Sequence, residues 1–178
     1  RQRQMCIRDS PYCVSIALRN KHELLLGVVY DPCLDECFYA WKGGGAYLNG
    51  QSLQVSSVRS MEASFVVTEL PYNSEQYART GEYLIRELYG RVAGIRMNGS
   101  AAIALCYVAA GRFDAWLEAF LGKWDFSAAA LIVQEAGGRV TDFYGNAGFI
   151  DGHHVVATNG WLHPFLLELV QKAMPLGM

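Results

Sequence analysis

The sequence contains no apolar run that approaches the roughly 20 residues needed to span a bilayer. The apolar run at residues 24–30 has the length of a single strand. Residues 1–10 are polar and basic, without the apolar segment that signal peptides carry. We therefore expect neither a membrane-spanning segment nor a signal peptide, and no membrane partner.

The sequence is also poor in charge and shows no disulfide framework. Charged residues make up 18% of the chain and the formal net charge is −2, so no broad attraction for nucleic acid is expected. The five cysteines lack the dense spacing of a secreted disulfide framework, which favours reduced thiols in a cytoplasmic protein. Cys33 and Cys37 have no second Cys or His pair at zinc-site spacing. The glycines of residues 43–45 lack the Lys-Ser/Thr of a P-loop.

What is abundant is apolar sequence, at 52% of 178 residues, which is enough to bury the core of one domain. Residues 5–10, Met-Cys-Ile-Arg-Asp-Ser, resemble the translated end of a sequencing-library adaptor. We therefore expect residues 1–10 to be non-native. Residues 11–178 are predicted to form one domain that is incomplete at its N-terminus.

Strand patterns come first along the chain and helix patterns later. Strands are predicted at residues 13–18, 24–30, 37–41 and 64–68, with Asn49-Gly50 as a hairpin turn. A helix should begin at a capping box of Asn73 and Gln76 and end at Gly90. Three strand-then-helix alternations follow: strands 95–97, 113–117 and 155–158 before helices 100–110, 125–136 and 162–172. This order predicts a layered α/β (α+β) fold. Residues 24–30, apolar on both faces, are typical of a strand buried on both sides.

Two acidic residues stand out at strand-to-helix junctions. Asp125 opens an apolar helix, where it could cap backbone N–H groups or ligate a hard cation such as Mg²⁺. Glu118 shares a face with Asp114 and Trp116 at the end of a predicted strand. It is either a solvated strand-end acid or a ligand-binding group at the carboxyl end of a sheet.

A third candidate is the helix start at residues 98–102, Asn-Gly-Ser-Ala-Ala. Its backbone N–H groups and the hydroxyl of Ser100 could receive an oxygen-rich ligand. A simple serine N-cap explains the same pattern without any ligand.

Taken in order, these motifs resemble the inositol monophosphatase family. The family's second signature, Trp-Asp-x-Ala-Ala followed by Glu-Ala-Gly-Gly, is similar to residues 124–129 and 135–138. Its middle segment resembles residues 27–32, Gly-Val-Val-Tyr-Asp-Pro, and 48–50, Leu-Asn-Gly. Residues 98–102 match its Gly-Ser/Thr-Ala-Ala helix start. The resemblance extends from residue 11 to about 172.

The resemblance implies a layered αβαβα sandwich of the sugar-phosphatase type, usually a homodimer. Asp125 matches an aspartate that ligates the second catalytic Mg²⁺ and lies close to a substrate hydroxyl. Glu118 matches a glutamate that binds inositol hydroxyls, and Gly99, Ser100 and Ala101 match the helix start that lines the polyol pocket. The implied substrate is a small phosphorylated polyol, with inositol monophosphate favoured. Related phosphatases act on sugar bisphosphates, 3′-phosphoadenosine 5′-phosphate or histidinol phosphate.

One family motif is absent from the sequence. The first signature, Asp-Pro-Ile/Leu-Asp-Gly-Thr-x-Asn-Phe, supplies two metal-binding aspartates and normally precedes the strand that begins at Cys13. Residues 1–10 stand in its place. We therefore expect the complete protein to be a Mg²⁺-dependent phosphatase and the chain alone to be inactive, or else a non-catalytic interaction module. Without the N-terminal helices of the family fold, its first strands should expose an apolar surface.

Overall fold

The computed structural model describes residues 12–69, 74–148 and 152–174. These residues form ten strands, four α-helices and one short 3₁₀-helix, Met61–Ala63. The strands are β1 (Val14–Arg19), β2 (Leu24–Asp31), β3 (Glu36–Trp41), β4 (Ala46–Leu48), β5 (Gln51–Ser52), β6 (Phe65–Thr68), β7 (Gly94–Arg96), β8 (Ala115–Ala119), β9 (Arg139–Thr141) and β10 (His154–Thr158). The helices are α1 (Ser74–Leu88), α2 (Ala101–Ala109), α3 (Lys123–Glu135) and α4 (His163–Ala173).

The first sheet is a meander of strands β1 to β5, each antiparallel to the next. The predicted turn at Asn49-Gly50 joins β4 to β5, and both residues adopt the left-handed region, with φ of 48° and 84°. A two-residue turn of this kind needs positive φ at both positions, which Asn and Gly tolerate. The hairpin prediction is confirmed.

The second sheet has the strand order β7-β6-β8-β10-β9. Strands β7, β6 and β8 run parallel, and β10 is antiparallel to β8 and β9. The carboxyl ends of the three parallel strands therefore meet at one edge of this sheet. That edge is where ligands bind in open α/β sheets.

Helices α2 and α3 lie between the two sheets, and α1 and α4 cover the far face of the second sheet. Two apolar cores result. One joins the first sheet, α2, α3 and the inner face of the second sheet. The other joins the second sheet to α1 and α4. These are four of the five layers of the αβαβα order, and the predicted layered α+β fold is confirmed.

The helix α3 packs unusually close to the first sheet at Gly27. A Cβ atom on Gly27 would lie 2.3 Å from the carbonyl oxygen of Ala128. Because no side chain fits in that space, the strand needs glycine there and the helix presents its own backbone. The Ala-rich sequence of α3 has the same explanation.

The outer face of the first sheet is apolar and open to solvent. In β1, Val14, Ile16 and Leu18 are each more than half exposed. In β2, Leu26 is 37% exposed whereas Val29 is fully buried. The prediction that residues 24–30 are buried on both faces is therefore wrong for the described residues, because no described element covers this side. The predicted apolar surface on the first strands is present.

Most element boundaries differ from the predicted ones by one or two residues. Helix α3 begins at Lys123 rather than Asp125, and β8 extends two residues further, to Ala119. The short strands β4, β5 and β9 were given no predicted range, although the predicted turn at Asn49-Gly50 joins the first two. The proposed capping residue Asn73 lies outside the described residues. Among those that are described, no helix is both long enough and apolar enough to span a membrane.

Candidate functional site

The candidate site lies at the carboxyl ends of the three parallel strands. Val67 of β6 is paired with Arg96 of β7, and Thr68 of β6 with Leu117 of β8. Continuing this register places Glu69 between Asn98 on one side and Glu118 on the other. Because adjacent strands lie about 4.8 Å apart, two carboxyl groups and one amide share a short stretch of sheet edge. We call Asn98, Glu69 and Glu118 the edge triad.

Glu69 fixes the turn that leads into α2. Its Oε1 accepts hydrogen bonds from the backbone N–H groups of Asn98 at 2.5 Å and Gly99 at 2.8 Å. Gly99 has a φ of 77°, a left-handed conformation that glycine adopts without strain. Sequence reasoning missed Glu69. The sequence does show an acid directly after the apolar strand β6. It does not show that strand pairing places Asn98 and Glu118 beside that acid.

Glu118 is held in an environment that disfavours its charge. It lies inside β8, and its Oε2 is buried without a hydrogen-bond partner among the described residues. Burial, together with the charges of Glu69 and Asp125, raises the pKa of its carboxyl from an ordinary 4.5 to about 8. The solvated strand-end alternative for Glu118 is therefore wrong. Such a perturbed group in a cluster is typical of a functional site.

Asp125 lies in the first turn of α3. Its Oδ2 accepts a hydrogen bond from the backbone N–H of Gly122 at 2.9 Å, and its own N–H donates to the Gly122 carbonyl oxygen at 2.9 Å. Gly122, not Asp125, is the N-cap residue, so the carboxylate closes the first turn from the third helical position. Its charge also acts on Glu118 and on the thiol of Cys13. Asp125 therefore closes the helix and also belongs to an acidic cluster, by which we mean Glu69, Glu118 and Asp125, in which the charges of Glu69 and Asp125 act on Glu118.

Ser100 occupies the N-cap position of α2, but it does not cap with its side chain. Its backbone is extended and its hydroxyl makes no capping hydrogen bond. The hydroxyl contacts the Cys13 sulfur at 3.9 Å instead. Burial raises the pKa of that thiol, and Asp31 and Asp125 add to the effect. Cys13, which was not predicted as a site residue, precedes β1 and brings the start of that strand into contact with Ser100.

The loop between Glu118 and Asp125 is strained and carries exposed aromatic rings. Phe120 has a φ of 66°, a conformation that costs a bulky residue about 1–3 kcal/mol. Its ring and that of Trp124 are 49% and 74% exposed. A Cβ on Gly122 would meet the Trp124 ring at 2.3 Å. Strain of this kind is concentrated at ligand sites.

The structure therefore brings together the sequence-predicted Glu118 and Asp125, adds Glu69, and places the turn at Asn98 and Gly99 beside them. Ser100 contacts Cys13, and the charge of Asp125 contributes to the raised pKa of the Cys13 thiol. In the described ranges, no group of three or more His, Cys, Asp or Glu side chains is arranged to hold a metal ion. The acids can contribute ligands to a cation or bind hydroxyl groups.

The fold and the site together define a class of protein. It is a layered α+β domain with an acidic cluster where its parallel strands end. The profile of the inositol monophosphatase family matches residues 7–174. The chain is 44% identical over 166 residues to the Nus factor SuhB of Pseudomonas aeruginosa, covering 92% of the chain and 61% of that protein. It is 37% identical over 166 residues to the inositol-1-monophosphatase of Rhizobium meliloti, covering 92% and 62%. The chain belongs to the inositol monophosphatase family.

Solved structures agree with this assignment. The extragenic suppressor protein suhB of Bartonella henselae matches with a TM-score of 0.86 and 36% identity, over 92% of this chain and 63% of that one. The IMPase of Thermotoga maritima matches with a TM-score of 0.88 and 32% identity, over 98% and 66%. The chain thus spans about three fifths of the length of the Pseudomonas aeruginosa and Rhizobium meliloti relatives.

Proposed function

We propose that this chain is the substrate-binding part of a Mg²⁺-dependent phosphomonoesterase. In the complete protein, the reaction would convert myo-inositol 1-phosphate and water to inositol and phosphate. The observation that supports this most is the buried, unpartnered Oε2 of Glu118 beside Glu69 and Asp125. A polyol hydroxyl would supply the missing donor, and a cation would offset the accumulated negative charge.

Asp125 fits a role as Mg²⁺ ligand because Mg²⁺ prefers oxygen and takes only one or two carboxylates from a protein. When bound, the cation stabilises the charge that develops on the leaving alkoxide oxygen. The hydrogen bond from Gly122 orients the Asp125 carboxylate before any ligand arrives. Glu118 would accept from substrate hydroxyls, while Gly99, Ser100 and Ala101 would line the polyol pocket at the start of α2.

The residues present cannot supply the whole metal site, since the first family signature is absent from the sequence. We therefore propose that residues 11–178 act only together with a segment that carries this signature. On its own, the chain should be inactive or nearly so. We further propose that the complete protein is a cytoplasmic homodimer.

Two alternatives require separate tests. The same geometry would serve a sugar bisphosphate, 3′-phosphoadenosine 5′-phosphate or histidinol phosphate. A non-catalytic interaction module is the alternative of another class. It is favoured by the 44% identity to a protein named Nus factor and by the exposed apolar face of the first sheet.

The decisive experiment fuses a segment that carries the Asp-Pro-Ile/Leu-Asp-Gly-Thr signature ahead of Pro11. Phosphate release from inositol 1-phosphate is measured with and without Mg²⁺, for the fusion and for the chain alone. We expect Mg²⁺-dependent release from the fusion. If the fusion folds but releases no phosphate from any of the substrates named above, the phosphatase proposal is refuted. The non-catalytic interaction module would then be the remaining alternative.

Asp125→Asn in the fusion tests the metal-ligand role. Asn caps helices about as well as Asp, so the fold should persist while turnover falls at least about 100-fold, comparable to the loss of one electrostatic group at an active site. Asp35→Asn is the matched control, because Asp35 is exposed and its positive φ of 54° suits Asn. Wild-type turnover for Asp125→Asn at saturating Mg²⁺ would refute the assignment.

A further inference from the structure

Buried polar atoms without hydrogen-bond partners are rare in native proteins. Among the described residues, two such atoms occur in the edge triad: Nδ2 of Asn98 and Oε2 of Glu118. One is a donor and the other an acceptor. Each leaves a desolvation penalty that a ligand could remove.

The two atoms belong to residues on either side of Glu69. The pairing of β6 with β7 and β8, continued to the strand ends, puts Asn98 and Glu118 at the same level of the sheet edge. Glu69 holds the backbone of Asn98 through its N–H group at 2.5 Å. The position of Asn98 is therefore set by its main chain, and its side-chain donor is left for another partner.

The chemistry of the pair selects the kind of ligand. A phosphate oxygen would accept from the Asn98 amide, but the adjacent charge of Glu69 would repel it, and it has no proton to donate to Oε2 of Glu118. A cation would suit the carboxyl groups and would be repelled by an N–H donor. Hydroxyl groups donate and accept, so neighbouring hydroxyls of one polyol satisfy both atoms together.

We propose that Asn98 is a specificity-determining residue whose Nδ2 donates to one hydroxyl oxygen of the substrate polyol, while another hydroxyl of that polyol donates to Oε2 of Glu118. This inference rests on the proposed function and deepens it. It assigns a role to a side chain for which the family signature gives none. It also makes Glu69 the positioning residue of the Asn98 turn.

The first test measures stability of the 178-residue chain without ligand. Asn98→Leu removes a buried donor that has no partner, so we expect Tm to rise by about 2–4 °C. Gln171→Leu is the matched control, since Gln171 is an exposed amide on α4 and should leave Tm nearly unchanged. A fall in Tm for Asn98→Leu would show that the amide has a structural partner and would overturn the proposal.

The second test measures binding of myo-inositol 1-phosphate to the fusion protein by calorimetry, in the presence of Ca²⁺ to suppress turnover. Asn98→Leu should weaken binding about 2- to 13-fold, the range for one neutral hydrogen bond. One mono-deoxy inositol phosphate lacks the hydroxyl that Asn98 contacts. The wild type and Asn98→Leu should bind that analogue with equal affinity. Gln171→Leu should bind all of them as the wild type does.

The outcomes separate this inference from the proposed function. If Asn98→Leu weakens the binding of every deoxy analogue equally, or weakens none, the proposed role of Asn98 is refuted. The proposed phosphatase function would be unaffected by that result. A wild-type fusion that hydrolyses phosphomonoesters but binds no polyol would refute the inference alone. A fusion that neither binds nor hydrolyses inositol 1-phosphate would refute both.

Discussion

Glu118→Gln should make the protein more stable at alkaline pH. The raised pKa of Glu118 means that the folded protein holds a proton that the unfolded chain releases near pH 4.5. Its contribution to stability is therefore undiminished below pH 4.5 and is lost progressively as the pH rises to about 8. At 1.36 kcal/mol per pH unit, a rise from 4.5 to about 8 sets an upper bound of about 5 kcal/mol on that loss.

Glutamine keeps the shape and cannot ionise, so the loss should disappear in the variant. At pH 9 we expect Glu118→Gln to exceed the wild type by at least about 1 kcal/mol, or 2–4 °C in Tm. Urea unfolding from pH 4.5 to 9 measures the difference directly. Comparing the two proteins at each pH also removes the opposing effect of His163, whose pKa burial lowers to about 4. Glu62→Gln, at an exposed position, controls for the loss of one carboxylate.

Two results would refute this reasoning about Glu118. One is an equal pH dependence for wild type and Glu118→Gln, which would mean that the carboxyl is not destabilised by its surroundings. The other is a variant less stable than wild type at pH 9, which would mean that the ionised carboxylate has stabilising partners. Either outcome would also weaken the case for a ligand at this position.

Further predictions concern the neighbour of Glu118 and the contact between α3 and the first sheet. Glu69→Gln removes one of the two charges that raise the Glu118 pKa, so a carboxyl ¹³C NMR titration should show a lower midpoint for Glu118. An unchanged midpoint would contradict the strand register proposed for the edge triad. Gly27→Ala forces a Cβ against the Ala128 carbonyl oxygen and should cost about 1–3 kcal/mol in urea unfolding. Gly148→Ala, where nothing lies within 4 Å, is its control, and similar stabilities for the two variants would refute the close packing of α3.

Local signals in the sequence predicted those elements that depend on local chemistry. The turn at Asn49-Gly50 requires two positive φ values that these residue types tolerate, and the helix α3 ends before Gly137, which has a φ of 88°. Such features need no knowledge of the rest of the chain. The order of strands and helices was sufficient for the layered fold, because alternating elements pack in few ways.

Three features that depend on distant pairing or packing were not predicted. The apolar residues of β2 suggested burial on both faces, but periodicity does not say whether another element covers the second face. Glu69 was missed because its neighbours, Asn98 and Glu118, are brought to it by strands that are far apart in sequence. The burial of Glu118 followed from two extra residues of β8, an uncertainty that is usual for predicted element ends.

The two interpretations of Asp125, helix cap and cation ligand, turn out to be compatible in physical terms. A carboxylate in the first turn of a helix is stabilised by the helix dipole and by the N–H group it accepts from, and Gly122 supplies that group. Glu118 lies on a strand, where no such dipole supports its charge, and burial disfavours its ionised form. The site therefore combines one acid whose charge the fold supports with one whose charge it opposes. The first is suited to a cation and the second to a hydroxyl group, as the proposed hydrolysis of a phosphorylated polyol would require.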